Sequence, residues 1–318
     1  MKIIFIGTPE FGTIILEELI NAGYKPVLVI TAPDKPVGRK HILTPPLVKV
    51  VAKRYNINVI QPAQIRSTKS EIRNLEPDLI ITAAYSQILP NEILEIPKYG
   101  CLNIHPSLLP KYRGPSPIQT AILNGDTETG ATIILMDDKI DQGPILENQK
   151  SKIKNKKLTY EELHNELAEL GAKLLIKTIP DWVAGKIKPM PQDEKKAIYT
   201  KILKKEDGKI NWKNSAEEIE RQIRALSPWP GTFTTFKNNK SDSNPKILKI
   251  LKAKIQKQTE NGPFGEPGKT FMAPDEKIAV QTGKDFLIIE ELQPEGGQKM
   301  TSAEFLNGRP DFIGVILD

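Results

Sequence analysis

Three side chains in this sequence combine hydrogen-bond donation, proton transfer and negative charge at spacings that could bring them together. Asn103 and His105 lie two residues apart at the end of an apolar run, and Asp141 follows a second apolar run, residues 131–136. Side chains two apart on a strand point to the same face, so the amide and the imidazole are neighbours there. If Asp141 converges with them at the strand ends, the three groups form a candidate acyl-transfer site.

Each of these residues also has a purely structural interpretation. Asn103 can cap a loop, His105 can pack in the interior, and Asp141 can begin the turn Asp-Gln-Gly-Pro over residues 141–144. Taken singly, these interpretations are at least as good as the functional ones. Co-location at strand ends, where open α/β sheets bind ligands, favours function.

Other site chemistries fit the sequence poorly. Residues 7–12 and Asp34 resemble a dinucleotide-binding layout, but the G-x-G-x-x-G pattern is absent and Glu10 would repel a pyrophosphate. No P-loop and no G-x-S-x-G sequence occurs. One cysteine and three scattered histidines do not provide a zinc site of usual spacing, so no metal is expected. Cys101 lies within an apolar run and is expected to be a buried structural thiol.

The elements that must position the three residues are predicted by the alternation of apolar runs and helical patterns. Six runs are nearly continuous in aliphatic residues, as in parallel strands buried on both faces: 3–6, 27–31, 58–60, 79–83, 102–104 and 132–135. Helical spacing predicts helices between them over 11–22, 47–55 and 69–75. This alternation predicts a doubly wound, Rossmann-like α/β domain.

The second half of the chain changes character. A helix is predicted over 159–177, followed by a polar, proline-containing stretch and a helix over 215–226. Five short runs then predict a small antiparallel barrel or sandwich: 232–236, 247–253, 270–272, 278–282 and 286–292. A capping-box pattern at Thr301 and Glu304 predicts a terminal helix. We therefore expect a catalytic domain over 1–184, a linker over 185–205 and a C-terminal domain over 206–318.

Positive charge is concentrated in two parts of the sequence. The net charge is +6, yet residues 35–70 carry eight basic and no acidic side chains, and residues 195–260 carry sixteen basic and seven acidic ones. Such clustering indicates a polyanionic partner such as nucleic acid, although a solvated lysine-rich surface fits equally well. No apolar segment reaches the ~20 residues needed to span a bilayer. We expect a cytoplasmic protein with no membrane partner.

At this point the sequence resembles a known family. Residues 103–114, Asn-Ile-His-Pro-Ser-Leu-Leu-Pro-Lys-Tyr-Arg-Gly, closely resemble the signature of the folate-dependent formyltransferases. Three further stretches are similar to those of the methionyl-tRNA formyltransferase family: Gly-Thr-Pro-Glu-Phe at 7–11, Pro-Asp-Lys-Pro-Val-Gly-Arg-Lys at 33–40 and Ser-Pro-Trp-Pro at 227–230. The resemblance covers essentially the whole chain.

The resemblance implies transfer of the formyl group from 10-formyltetrahydrofolate, a co-substrate, to the α-amine of methionine on initiator Met-tRNA, for translation initiation. Asn103 would donate a hydrogen bond to the formyl oxygen. His105 would donate or move protons, and Asp141 would orient and charge it or accept the amine proton through water. Which of the two takes the proton first stays open. The C-terminal barrel would be OB-like, a common nucleic-acid platform.

The same resemblance implies two binding sites. The folate site would be lined by the loop after residue 105 with backbone contacts from the loop after residue 85: Ser107, Leu108, Leu109, Pro110, Ile88, Leu89 and Pro90. The acceptor end of the tRNA would be met by the first basic region: Lys35, Arg39, Lys40 and His41.

The sequence departs from the family pattern in three places. Ser86 stands in place of glycine after the tyrosine, Pro106 in place of a small glycine, and Asp-Gln-Gly-Pro in place of Asp-Thr-Gly-Asp at 141–144. Pro106 stiffens the loop, and Gln142 changes the neighbourhood of Asp141.

Two alternative functions remain at this point. One is a formyltransferase acting on an amino sugar nucleotide, which would share the three residues without needing a basic insertion. The other is a non-catalytic RNA-binding protein on the same scaffold, against which the intact triad argues. The partners expected are the tRNA and the folate, and a monomer is expected.

Overall fold

The computed structural model describes residues 1–38, 41–153, 157–237, 244–257, 265–273 and 275–318. By its contacts the chain forms two compact units. The first comprises Met1–Ile118, Thr127–Asn155 and Glu162–Lys201, and the second comprises Gln119–Asp126, Lys156–Glu161 and Ile202–Asp318. Two short stretches, 119–126 and 156–161, therefore belong to the second unit although segments of the first unit flank them in the sequence.

Strands and helices alternate through the first half of the chain, and strands dominate its C-terminal part. The strands are β1 (Ile3–Gly7), β2 (Leu28–Ile30), β3 (Lys35–Val37), β4 (Ile42–Thr44), β5 (Asn58–Ile60), β6 (Leu79–Ala83), β7 (Cys101–His105), β8 (Glu128–Leu135), β9 (Ile145–Lys152), β10 (Thr232–Phe236), β11 (Lys246–Gln256), β12 (Thr270–Met272), β13 (Ile278–Gln281), β14 (Phe286–Pro294) and β15 (Met300–Thr301). The helices are α1 (Glu10–Asn21), α2 (Leu47–Arg54), α3 (Lys69–Leu75), α4 (Asn91–Leu94), α5 (Pro117–Leu123), α6 (Tyr160–Val183), α7 (Ala216–Leu226) and α8 (Ser302–Asn307).

A seven-stranded sheet in the order β5-β2-β1-β6-β7-β8-β9 forms the centre of the first unit. The first five strands in this order are parallel. From β1 the chain builds outward first to β2 and β5 and then to β6 and β7, which confirms the doubly wound α/β domain. β1 and β6 are buried along their whole length, since aliphatic side chains on both faces are covered.

The direction of β8 differs from the prediction. β8 runs antiparallel to β7, so that Leu135 lies opposite Leu102 and Thr132 lies opposite His105. A continuous aliphatic run indicates that both faces of a strand are covered. It does not distinguish a strand that runs parallel to its neighbour from one that runs antiparallel. Asp141 is therefore not placed by a parallel strand end. The connection between β8 and β9 brings it to β7 instead.

A two-stranded, solvent-exposed ribbon of the first unit lies where the sequence shows the first basic region. β3 pairs antiparallel with β4, and its apolar side chains Val37, Ile42 and Leu43 are 56%, 62% and 65% exposed. Residues before and after the ribbon are tied together, because Lys49 Nζ donates to both carboxylate oxygens of Asp34 at 2.8 Å. The ribbon was not predicted as a pair of strands.

The second unit contains a curled antiparallel sheet in the order β10-β11-β14-β13-β12, with β15 added to β14. This sheet agrees with the predicted OB-like domain, and β10 and β12 have the predicted bounds. At α8 the Thr301 side chain accepts from Glu304 N while the Glu304 carboxylate accepts from Thr301 N, which confirms the predicted capping box.

No helix in the described segments is both long and apolar enough to cross a bilayer.

Candidate active site

The structure brings the three predicted residues into one cluster. Asn103 Nδ2 lies 3.5 Å from Asp141 Oδ1, and His105 Nδ1 lies 3.6 Å from Asp141 Oδ2. Both β7 side chains reach the same carboxylate, as expected for residues two apart on one strand face. The side chains of His105 and Asp141 are 6% and 16% exposed, so the pair is shielded from most of the solvent.

The orientation of the Asn103 amide is set by the neighbouring strand. Thr82 lies opposite Asn103 in the β6–β7 pair, and its hydroxyl donates to Asn103 Oδ1 at 2.9 Å. Because the amide oxygen is engaged by this hydroxyl, the NH₂ group is the end that faces Asp141. The cluster therefore presents Asn103 as a hydrogen-bond donor.

The imidazole of His105 is oriented by the loop that follows β7. Its Nε2 lies 2.8 Å from Tyr112 O, and a carbonyl oxygen can only accept, so Nε2 carries the hydrogen. Nδ1 then faces the carboxylate of Asp141. In the neutral imidazole this nitrogen is a base, and an added proton would lie between it and the carboxylate.

Asp141 lies in a tight turn that is held from two directions. Its backbone is left-handed, with φ of 52°. Gly114 N donates to Oδ2 at 2.8 Å, and the side-chain amide of Gln192 donates to the carbonyls of Asp141 and Gly143 at 2.8 and 2.7 Å. A Cβ at Gly143 would lie 1.9 Å from Leu135 O, so the turn has no room for a side chain there.

A buried arginine beside the cluster was not predicted. Arg113 is 0% exposed and donates to Gln192 Oε1 at 3.0 and 2.9 Å, to the Glu194 carboxylate at 3.0 and 2.7 Å, and to Tyr199 OH at 2.9 Å. The bond to Glu194 raises the pKa of Arg113 and lowers the pKa of Glu194. Arg113 lies inside the signature stretch 103–114, and this was the one signal for it in the sequence.

The candidate folate residues lie in loops after two adjacent strands, β6 and β7. Ser107 is buried, its hydroxyl donates to Lys111 O at 2.6 Å, and its carbonyl accepts from Thr132 Oγ1 at 2.6 Å. The remaining members of the set differ in exposure: Leu89 and Leu109 are buried, Leu108, Pro110 and Pro90 are half-buried, and Ile88 is exposed.

Two of the candidate tRNA residues, Lys35 and His41, lie in or directly beside the ribbon. Lys35 is exposed on β3, and His41 is exposed just before β4, with φ of 48°. Arg39 and Lys40 lie outside the described residues.

Cys101 is buried at the start of β7, and burial raises the pKa of its thiol to about 12. A thiol stays protonated at neutral pH with such a pKa, so it is not a nucleophile there. The described side chains include no group of three or more His, Cys, Asp or Glu arranged to hold a metal ion.

Two parts of the chain match known protein families. Residues 1–179 match the family model for formyl transferase, and residues 202–310 match the model for the formyl transferase C-terminal domain. A methionyl-tRNA formyltransferase of Geobacillus sp. (strain WCH70) is 44% identical over 311 residues, covering 97% of this chain and 94% of the relative.

Two solved structures share the fold. The N-formyltransferase from Helicobacter canadensis, in complex with folinic acid and dTDP-3-aminofucose, superposes with a TM-score of 0.65 at 22% identity, covering 94% of this chain and 100% of that one. HypX from Aquifex aeolicus, in complex with tetrahydrofolic acid, gives 0.63 at 18% identity, covering 96% of this chain and 47% of that one. With both domain models matched in order and a relative this similar over nearly its full length, the chain belongs to the methionyl-tRNA formyltransferase family of formyl transferases.

Proposed function

We propose that this protein transfers the formyl group of 10-formyltetrahydrofolate to the α-amino group of methionine on initiator Met-tRNA, for translation initiation. The observation that carries the proposal is the shielded Asn103–His105–Asp141 cluster in a chain 44% identical to a methionyl-tRNA formyltransferase. Relatives of the same fold in complex with folinic acid or tetrahydrofolic acid support a folate donor.

In the proposed reaction the amine nitrogen attacks the formyl carbon, and the carbonyl electron pair moves onto the oxygen. The bond between the formyl carbon and N10 of the folate then breaks. Asn103 is the donor for the developing oxyanion, because Thr82 directs its NH₂ group into the cluster. One such preorganised donor typically contributes ~3–4 kcal/mol to the transition state.

One proton must leave the attacking amine and one must reach N10. His105 Nδ1 and the Asp141 carboxylate lie 3.6 Å apart, so a proton taken up by the pair is held between them. Tyr112 O keeps the hydrogen on Nε2 and leaves Nδ1 as the site of exchange. We propose that the pair accepts the amine proton and returns it to N10, a role typically worth ~10²–10⁴ in rate.

The binding sites of the substrates follow from the loops around this cluster. We propose that residues 107–110 and 88–90, which follow adjacent strands, line the folate site. We propose that the acceptor end of the tRNA contacts residues of the first basic region, namely Lys35, Arg39, Lys40 and His41. The exposed β3–β4 ribbon supports this proposal for the two described members, Lys35 and His41.

We further propose a catalytic domain over 1–184, a linker over 185–205 and an OB-like tRNA-binding domain over 206–318, in a cytoplasmic monomer. The excess of basic residues over 195–260 supports the tRNA-binding role. The two family models, over residues 1–179 and 202–310, support a division between these parts of the chain.

One assay tests the function. Purified protein is given 10-formyltetrahydrofolate and initiator Met-tRNA, with a dTDP-linked amino sugar as a competing acceptor. We expect formylated Met-tRNA and an unmodified sugar. Formylation of the sugar alone would establish the amino-sugar alternative, and tRNA binding without any product would establish a non-catalytic RNA-binding protein.

A further inference from the structure

We propose that Gln192 and Arg113 are positioning residues that hold Asp141 against Asn103 and His105, an inference that rests on the proposed catalytic role of that cluster. Among the described residues, the side chains of Gln192 and Arg113 form no hydrogen bond with Asn103 or His105. Their effect passes through the backbone of the Asp141 turn.

The backbone conformation of Asp141 is held by hydrogen bonds from outside its turn. Its φ of 52° is in the left-handed region, which a residue with a Cβ occupies at a cost in free energy. Gln192 Nε2 uses both of its hydrogens on this turn, donating to Asp141 O and Gly143 O at 2.8 and 2.7 Å. One amide group therefore holds the carbonyls on both sides of Gln142.

The orientation of Gln192 is fixed in turn by Arg113. The guanidinium donates twice to Gln192 Oε1, at 3.0 and 2.9 Å, which leaves only the NH₂ end to face the two carbonyls. Arg113 is itself held by Glu194 and Tyr199. The amide is thus fully hydrogen-bonded and has one favourable orientation.

Three consecutive residues of the loop after β7 act on the cluster in different ways. Tyr112 O binds His105 Nε2 at 2.8 Å, Arg113 binds Gln192, and Gly114 N binds Asp141 Oδ2 at 2.8 Å. The carboxylate is held by the Gly114 amide, and the carbonyl of the same aspartate is held through Arg113. The side-chain carboxylate and the backbone carbonyl of Asp141 are therefore both held by the segment that also orients His105.

Gln192→Glu is the variant that separates this role from simple packing. Glutamate keeps the size and an oxygen for Arg113, but it places a second oxygen with no hydrogen against two carbonyl oxygens. Gln192→Met removes the polar atoms without this repulsion, and it decides the question if Gln192→Glu does not fold. Gln222→Glu is the matched control, because Gln222 Nε2 also bridges two carbonyls, Asp207 O at 2.9 Å and Lys209 O at 3.2 Å, in the second unit.

The experiment measures kcat and KM for formylation of Met-tRNA, together with thermal unfolding. For Gln192→Glu we expect kcat to fall about 10- to 100-fold, as for a small displacement of a reacting group. We expect KM for both substrates to change by less than about 3-fold, since substrate contacts stay in place. Gln222→Glu is expected to keep its kcat at saturating substrate, whatever its change in Tm. Unchanged kcat in folded Gln192→Glu and Gln192→Met overturns the proposal, and so does an equal loss in the control.

A second readout needs no substrate. The chain has three histidines, so the isotope-labelled imidazole signal of His105 can be assigned by NMR with a His105→Gln variant. We expect this signal to shift in Gln192→Met and to stay in place in Gln222→Glu. If the wild-type protein does not formylate Met-tRNA, the proposed function fails, and this comparison still decides whether Gln192 positions the cluster. An unmoved His105 signal in Gln192→Met would overturn the proposal.

Discussion

Asp34 and Asp141, both in the first unit, are carboxylates held in opposite ways. Asp34 accepts from Lys49 Nζ at 2.8 Å on both oxygens and from Gln61 Nε2 at 2.7 Å, and the bond to Lys49 lowers its pKa. Asp141 accepts from the Gly114 amide and faces Asn103 and His105. Within the described part of the chain, no lysine or arginine lies in ion-pair range of Asp141.

The difference distinguishes a structural carboxylate from one that is proposed to take part in the reaction. Asp34 precedes the β3–β4 ribbon and Lys49 follows it, so their ion pair closes the base of the ribbon. A lysine at this distance neutralises the charge and opposes protonation. Asp141 accepts from the Gly114 amide and faces the Asn103 amide and the His105 imidazole, and in the proposed reaction its carboxylate would stabilise a proton on His105.

The strongest test of this comparison is Asp141→Asn. An amide can still accept from Gly114 N, but it neither takes a proton nor stabilises an imidazolium ion. We expect single-turnover formylation to fall ~10²–10⁴-fold, with tRNA affinity retained. Asp34→Asn serves as the control and should keep its single-turnover rate at saturating tRNA. A near-normal single-turnover rate in Asp141→Asn would mean that Asp141 is no more involved in the reaction than Asp34.

Asn103→Ala and His105→Ala test the uncharged side of the cluster. Each removes one group that faces Asp141, and we expect turnover to fall ~10²–10³-fold for Asn103→Ala, as for the loss of one oxyanion donor. Binding of tRNA, measured by filter retention, should change much less in both variants. A large loss of tRNA affinity with normal single-turnover chemistry would contradict the assigned roles.

Arg39→Ala tests the basic residues that lie in the sequence between β3 and β4. If Arg39 contacts a phosphate, we expect weaker use of tRNA and a decrease of about one in the slope of log K against log salt. The measurement is tRNA affinity over a series of salt concentrations. A fall in kcat/KM with an unchanged slope would instead indicate that Arg39 contacts bases.

The smallest expected effect is on stability and concerns Asp34 itself. Its pKa is lower in the folded protein than the ordinary value of ~3.9, so its stabilising contribution is complete above that pH and is lost as the pH falls through the folded pKa. Asp34→Asn should therefore lower Tm at pH 7, and the difference from the wild type should shrink in acid.

A double-mutant cycle with Lys49→Met checks the cause of this effect. Because Lys49 is the partner responsible for the largest part of the lowered pKa, Asp34→Asn should change Tm much less in the Lys49→Met background. Equal losses in both backgrounds would assign the effect to Gln61 or to the backbone.

Local signals predicted many elements of this fold, although not β3, β4, β9 or α4. The bounds of α3, β10 and β12 follow from apolar spacing, and the start of α8 follows from its capping box. The pairing of Asn103 with His105 also follows from a local rule, the two-residue repeat of a strand. Such features depend on neighbours in sequence, which is why a single chain reveals them.

The direction of β8 and the support of Asp141 depend on distant residues. The convergence of Asp141 with β7 was predicted, but the reason given, a parallel strand end, was wrong. Arg113 and Gln192 are 79 residues apart, and residues 185–198 show no periodicity that would indicate a packed segment. Polar networks leave no repeat in a sequence, so the residues around the Asn103–His105–Asp141 cluster were found only in three dimensions.

The interleaving of the two units has a consequence for biosynthesis. Residues 119–126 and 156–161 belong to the second unit, where Arg221 donates to Leu123 O at 3.0 Å and Arg224 donates to Leu158 O at 2.6 Å. The ribosome synthesises Leu123 and Leu158 well before the two arginines of α7. The second unit therefore completes its contacts late in translation, and a gene cut after residue 201 separates these carbonyls from their partners.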